Sequence, residues 1–476
     1  IRQGERAIEN DGQVVKKGHE TSKYQFQVSE AIRTHAAAID RALANIKICD
    51  PAIGSGAFPV GMMQEIVKVR EVLKTYLPDQ KHTTYDFKRH AIQTSIYGVD
   101  IDAGAVDIAK LRLWLSLVVD EENYESIKPL PNLDYKIVCG NSLFSVEKNL
   151  FNHQLFAELE QQKQAYFEET NPDRKAELRA SIQGLIKTIT NQDETFDFEV
   201  YFSEVLQQQG GFDVVIGNPP YVRQEKLGNE AKKALKANFP ELYKGTADIY
   251  TYFYGKGVRL LKEKGSLAYI TSNKWFRANY GVPLRKYIAT HCQIHQIIDF
   301  GELPVFEAAT FPMIFIAQTG TNHDLTLQFT PVKSLNPPYP DIPALVQQKG
   351  QALPPSAIQG SDWMLTSSGS ADILKKMEQV GTPLVNYVNG KIYRGIVTGF
   401  NKAFVINGEK RAELIAKDPK SAEIIKLLAV GDDVRKWHIK QSDKWLIFTP
   451  IGVKINKYPA IFEHLSQWQI ELEKRY

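Results

Sequence analysis

Asn218-Pro219-Pro220-Tyr221 gathers residue types suited to gripping an exocyclic amine on a planar base. The Asn218 side chain offers a carbonyl acceptor. Two successive prolines fix φ and hold the residues before them extended, so the turn is stiff. Pro219 has no N–H but keeps its backbone carbonyl, a second acceptor. Tyr221 adds an aromatic face for an unstacked base, as enzymes acting on extruded bases require. Two acceptors on one NH2 would turn its lone pair toward an electrophile, and the chemistry this suggests is methyl transfer to an amino nitrogen. The element that must position the tetrapeptide precedes it. Val214, Val215 and Ile216 are β-branched and stop at Gly217, which predicts a strand delivering Asn218 at its tip.

The same four residues recur as Asn336-Pro337-Pro338-Tyr339, and this copy is a control. Pro331 and Ser334 lead into it, Pro340 follows, and neither a buried strand nor a Gly precedes it. It reads as extended Pro-rich linker. Four residues alone are a weak signal; the strand context separates the copies.

A second motif complements the first. Ile46 to Cys49 reads as a strand, followed by Asp50-Pro51-Ala52-Ile53-Gly54-Ser55-Gly56-Ala57-Phe58 and an amphipathic segment. Strand, Gly-rich turn and helix form the layout that lets backbone approach a nucleoside-type ligand. No Lys follows Gly56, so phosphate cradling is not indicated. Asp50 at the strand end suits a cationic ammonium group instead. Tyr97-Gly98-Val99-Asp100-Ile101-Asp102 reads as another strand with an acid at its tip, the position that binds ribose hydroxyls in such units. Adenine, ribose and an ammonium-bearing tail without phosphate together describe S-adenosylmethionine. Gly54 and Gly56 alone favour an ordinary tight turn; Asp100 and Asn218 at later strand ends reverse that preference toward the cofactor.

The ordered set Asp50-Pro51-Ala52-x-Gly54-Ser55-Gly56-Ala57-Phe58, Gly98 to Asp102, and Asp213-x-x-Ile216-Gly217-Asn218-Pro219-Pro220-Tyr221 resembles the γ-class N6-adenine DNA methyltransferases. It is most similar to the methyltransferase part of TaqI-like type IIG restriction-modification enzymes. Ala247 to Phe253, Lys264 to Phe276 and Arg394 to Ile406 add to the likeness, the last as the entry to a recognition domain. The resemblance implies a Rossmann-like α/β methyltransferase fold with a C-terminal mixed α/β target-recognition domain. It implies that Asp50 contacts the methionine moiety of the cofactor and Asp100 its ribose. Asn141, where many relatives have Asp, would lie beside the adenine. Ala52, Gly54, Gly56, Phe58, Ile101 and Ser142 would line the rest of that site. Asn218 and Pro219 would hold the target N6 amine, with Pro220 stiffening the loop. Tyr221 would stack the flipped adenine and Phe306 would pack on its other side; without the resemblance Phe306 reads as a core aromatic. The expected partner is double-stranded DNA.

Other readings stay open. The same grip suits cytosine N4, RNA or a protein glutamine, although Asn rather than Ser at 218 favours adenine. A non-catalytic specificity protein would have no need of Gly54, Gly56, Asp100, Asn218 and Tyr221 together.

Composition bounds the rest. The 476 residues carry a formal net charge of +3, which predicts two or three domains and no overwhelming basic field. Lys226, Lys232, Lys233 and Lys236 suit either DNA phosphates or a solvated helix face. Cys49, Cys139 and Cys292 lack metal spacing and suit a reduced, cytoplasmic protein; no apolar run is long enough to span a membrane. The expected layout is a helical segment over 1–45, a methyltransferase domain over 46–330 with a helical insertion at 144–209, a linker and helix over 331–384, and a recognition domain over 385–476. The start at Ile1 and the charged end at Tyr476 suggest a piece of a longer protein, with any nuclease upstream of Ile1. A nuclease match of Asp213 with Glu230-Ala231-Lys232 is only formal, because Asp213 belongs to the strand of the first motif.

Overall fold

The computed structural model describes all residues except 1–3, 78–80, 120–130, 145–152, 191–195, 308–309, 321–325, 337–338, 359–362, 366–372, 374–375, 392–394, 397, 441–442 and 474–476. These form two compact units, Ile1–Leu374 and Lys375–Tyr476.

Nine strands build one sheet in the first unit: β1 (Ile48–Asp50), β2 (Ile96–Asp100), β3 (Ile137–Cys139), β4 (Phe212–Gly217), β5 (Leu261–Ser272), β6 (Cys292–Asp299), β7 (Pro312–Thr319), β8 (Leu327–Pro331) and β9 (Gln351–Leu353). Their order is β3-β2-β1-β4-β5-β7-β6-β8-β9. Strands β3 to β5 are mutually parallel, while β7 lies antiparallel between β5 and β6. The chain winds outward from β1 to β3, then crosses back to β4 on the other side of β1. That reversal makes a crevice at the carboxyl ends of β1 and β4, where open α/β sheets bind ligands. The fold is therefore the expected mixed α/β type with a large, mostly parallel sheet.

Both faces of the sheet are covered. Buried aromatic and aliphatic residues such as Tyr97, Phe202, Phe212, Tyr254, Trp275 and Phe315 pack one core. Ile48, Met63, Ile66, Phe87, Ile92 and Leu113 pack the other. Within 144–209 lie the helices His153–Glu168 and Pro172–Ile189, joined by Ile182, Ile186 and Phe156 and followed by two short ones, Phe198–Tyr201 and Ser203–Leu206. Lys163 on the first bonds the Tyr201 carbonyl and the Glu204 carboxylate, each at 2.7 Å.

The stretch from 331 onward differs from a plain linker. A helix at Ile342–Lys349, capped by the Asp341 side chain on the Ala344 N–H, turns the chain back so that β9 pairs antiparallel with β8. Proline content misleads here because Pro343 occupies the first turn of that helix, where no N–H partner is needed. Val332, Ile342, Leu345 and Val346 then bury Ile298 and Phe300 at the end of β6. Of residues 370–380, within the linker and helix expected over 331–384, 373 and 376–380 are described and helical.

The second unit has a three-stranded antiparallel sheet of β10 (Val405–Ile406), β11 (Ile425–Leu427) and β14 (Trp445–Ile447), in the order β10-β14-β11. Ala403, Leu414, Leu446 and Ile461 form its core. A separate hairpin pairs β12 (Val434–Arg435) with β13 (His438–Ile439). Arg394 and Val397, at the expected entry to the recognition domain, lie outside the described residues.

Candidate active site

β4 forms for the reason its sequence suggests: β-branched side chains fit a pleated, half-buried surface. It begins with an anchor. Asp213 accepts the Lys47 N–H at 2.8 Å and pairs with Lys262 at 2.6 Å, locking the start of β4 beside β1. Asp213 is thus engaged at the amino end, away from Asn218. The formal nuclease partners Glu230 and Lys232 are bonded to Lys233 and Gln224 respectively.

At the carboxyl end, β4 and β1 touch through a missing side chain. A Cβ on Gly217 would lie 2.5 Å from Asp50 Oδ1, so glycine is required for the carboxylate to rest against the strand. Asp50 is 1% exposed. Its Oδ1 accepts the Ala52 N–H at 3.0 Å, but its Oδ2 is buried with no partner among the described residues. Burial pushes the Asp50 carboxyl up to about 7; the Ala52 N–H opposes this in part, and the neighbouring Asp100 adds to it. An acid in that condition is a seat for a cation.

The Gly-rich turn is tied to the second acid. Asp100 at the tip of β2 accepts the Gly54 N–H at 2.8 Å and the Asp102 N–H at 3.0 Å. Gly56 begins the helix Ala57–Lys74 at φ 79°, and a Cβ there would lie 3.1 Å from Ala109. Only glycine combines that φ with so close a helix approach. Asp102 caps the next helix, Ala103–Val118, by accepting the Gly104 and Ala105 N–H groups. Ser142 donates to the Pro51 carbonyl at 2.6 Å, and the Asn141 side chain accepts the Leu143 N–H at 3.0 Å. Ser142 therefore braces the turn. Phe58 and Ile101 are exposed at the same sheet edge.

Asn218 follows β4 directly, and its Oδ1 is the second buried oxygen here with no partner among the described residues. Pro219 is buried and Pro220 exposed. The Tyr221 hydroxyl donates to the Ile270 carbonyl at 3.3 Å, and burial pushes its phenol well above the ordinary value. Its ring centroid lies 6.4 Å from that of Phe306, at 58°. Phe306 sits in the loop between β6 and β7, at the same edge of the sheet. A base between two parallel rings needs about 7 Å, twice the base-pair rise, so one of these rings must turn to face the other before a base fits between them.

Two tyrosines missed from sequence complete this wall. Tyr250 lies 6.0 Å from Tyr221, and its hydroxyl bonds that of Tyr280 at 2.8 Å. The Ile249 N–H donates to the Val222 carbonyl at 3.1 Å, and Asp248 accepts the Gln224 N–H, so this segment steadies the loop after Tyr221. The Tyr-rich run 250–254 was the available signal. Ile53 was missed as well: its side chain fills the space over Gly98.

The second tetrapeptide is placed otherwise. Asn336 is exposed and Tyr339 is 74% exposed; Pro337 and Pro338 lie outside the described residues.

No group of three or more His, Cys, Asp or Glu is placed to hold a metal among the described residues, and no described helix is long and apolar enough to cross a membrane. The groups present fit a ligand with a cationic tail and hydroxyls on the Asp50–Asp100 side, and a flat amine-bearing ring on the Asn218–Tyr221 side.

The chain is similar to known proteins of restriction-modification systems. The type II restriction enzyme and methyltransferase RM.Eco57I of Escherichia coli is 27% identical over 390 residues, 77% of this chain and 33% of the relative. The type II methyltransferase M.BstVI of Geobacillus stearothermophilus is 25% identical over 56% of this chain and 49% of its own length. The chain thus spans a third to a half of these relatives. The type IIL restriction-modification enzyme MmeI, solved with DNA, shares the fold across 92% of this chain and 50% of its own, at 13% identity and a TM-score of 0.52. Residues 94–306 match the family of Eco57I restriction-modification methylases.

Proposed function

We propose that this chain transfers a methyl group from S-adenosylmethionine to N6 of an adenine flipped out of double-stranded DNA, as the methylating part of a cytoplasmic restriction-modification system. One observation carries the reading. Asp50 Oδ2 and Asn218 Oδ1, two buried oxygens without partners among the described residues, stand at adjacent strand tips beside the bare Cα of Gly217. One suits a cation and the other an N–H donor. Unsatisfied buried acceptors cost about 1–3 kcal/mol each, which a bound ligand relieves.

S-adenosylmethionine, when bound, supplies a sulfonium methyl that is already a strong electrophile. The protein's work is then orientation rather than proton chemistry. Asp50 meets the ammonium, and Asp100 the ribose hydroxyls. Asn218 Oδ1 and the Pro219 carbonyl accept the two amine hydrogens and hold the nitrogen lone pair toward the methyl. Tyr221 and Phe306 take the faces of the base and offset the cost of leaving the stack at about 1–3 kcal/mol per stacked face. The proton leaves after transfer, when the nitrogen is strongly acidic, so no side-chain base is needed beside Asn218.

RM.Eco57I joins a restriction enzyme and a methyltransferase in its name; we assign no cleavage to the residues described. Transfer of labelled methyl to genomic DNA tests the proposal. Label recovered as N6-methyladenine, and lost in Asn218→Ala, is the expected result. Label on cytosine N4, RNA or protein glutamine would replace the substrate, and failure to bind S-adenosylmethionine would end the reading.

A further inference from the structure

Trp437 is the most conspicuous side chain of the second unit. It is 92% exposed and occupies φ +70° in the two-residue turn between Arg435 and His438, which pair across the hairpin. That φ belongs to Gly or Asn in tight turns, and a bulky residue there is a genuine outlier. Strain of this kind together with a solvated indole points to a function rather than to stability. Folding gains nothing from an aromatic ring in water.

The surroundings specify the partner. Every residue from Val434 to Lys440 is exposed, and the segment carries Arg435, Lys436 and Lys440 with no acid. Its base is firm. Asp433 is buried, accepts the Val430 N–H at 2.9 Å, and through its carbonyl accepts the Lys440 N–H at 2.7 Å. Val434 and Ile439 form an exposed apolar pair on one side of the ribbon, and Arg435 and His438 pair on the other. A two-stranded ribbon is narrow enough to enter a DNA groove. An aromatic tip flanked by cations has the make-up of an element that stacks on bases while holding phosphates.

We infer that the 434–440 hairpin probes duplex DNA, with Arg435, Lys436 and Lys440 on the phosphates and the Trp437 indole inserted from the groove at a base step that it partly unstacks. This rests on the DNA-directed reading above and adds the element that makes the contact.

Binding of sheared genomic DNA by the whole chain tests it, with Trp437→Gly, Trp437→Ala and Trp437→Phe compared. Glycine suits φ +70°, so Trp437→Gly melts at or above the wild-type temperature while lacking the ring. Both ring-less variants should weaken binding roughly tenfold or more, and Phe should restore most of it. Replacing Arg435, Lys436 and Lys440 by Gln should flatten the slope of log affinity against log salt by about 0.9 per lost phosphate contact. Trp437→Gly binding as tightly as wild type would overturn the inference, as would an unchanged salt slope. If wild type methylates DNA and Trp437→Gly is indistinguishable from it, only the hairpin assignment falls. If wild type neither binds nor methylates DNA, the reading beneath it falls too.

Discussion

Asn218 and Asn336 begin identical tetrapeptides in the same chain, yet one ends a parallel strand at the sheet's reversal point and the other lies in the open. Tyr221 is packed among Tyr250 and Phe306, whereas Tyr339 is 74% exposed. Composition is identical and chemistry is not. A polar group becomes useful for catalysis when its surroundings remove water and leave its valence open, and Asn218 Oδ1 meets both conditions. Asn336 is solvated, and its N–H is already turned to the Ser334 hydroxyl at 3.1 Å.

The largest expected contrast comes from removing each asparagine. Asn218→Ala should lower methyl transfer about 10²- to 10³-fold, the scale for loss of one preorganised polar group at a reaction centre. Asn336→Ala should leave the rate and melting temperature unchanged, with stability within about 0.5 kcal/mol. Equal losses in a labelled-methyl assay would erase the distinction between the copies. Gly217→Ala comes next. Its Cβ would displace Asp50, costing about 1–3 kcal/mol as an overpacked substitution, and calorimetry should show weaker S-adenosylmethionine binding although neither ligand-facing side chain was changed.

Tyr221→Ala should raise the KM for DNA by the loss of about 1–3 kcal/mol of stacking. Tyr221→Phe should retain most activity, since the lost hydroxyl contact is long at 3.3 Å. Tyr339→Ala should do nothing measurable. The smallest effect is a slope. With its carboxyl at about 7 against an ordinary 3.9, Asp50 favours the folded chain when protonated. Ligand-free stability should therefore fall as pH rises from about 4 to about 7, by about 1.4 kcal/mol per unit at most. Asp50→Asn should remove that slope and raise the melting temperature near neutral pH, while S-adenosylmethionine binding is lost. A wild-type slope persisting in Asp50→Asn would assign it to another group.

Much of the site was legible because its parts are local. A β-branched run ending in Gly-Asn-Pro-Pro, and an acid leading a Gly-rich turn, announce their strands within ten residues. What stayed hidden was pairwise and distant. The contact between Gly217 and Asp50 joins residues remote in sequence, and nothing in either neighbourhood signals it. Tyr280 carried no local signal of its own, Tyr250 sat unassigned within the 247–253 run, and Ile53 was an unassigned position in its motif. The stretch after 331 was misread because prolines mark loops and helix starts alike, and only pairing with β8 distinguishes them.

The bare Cα of Gly217 also bears on how such a chain can change over generations. Residues 214–216 could be exchanged among β-branched types while keeping the strand, and no contact with Asp50 constrains the size of the side chain at 218 in the way it does at 217. Position 217 has no such latitude, because any side chain enters the space of the acid on the next strand. Two binding preferences are thus welded at one codon. A side chain at 217 is therefore accommodated only if Asp50 changes with it.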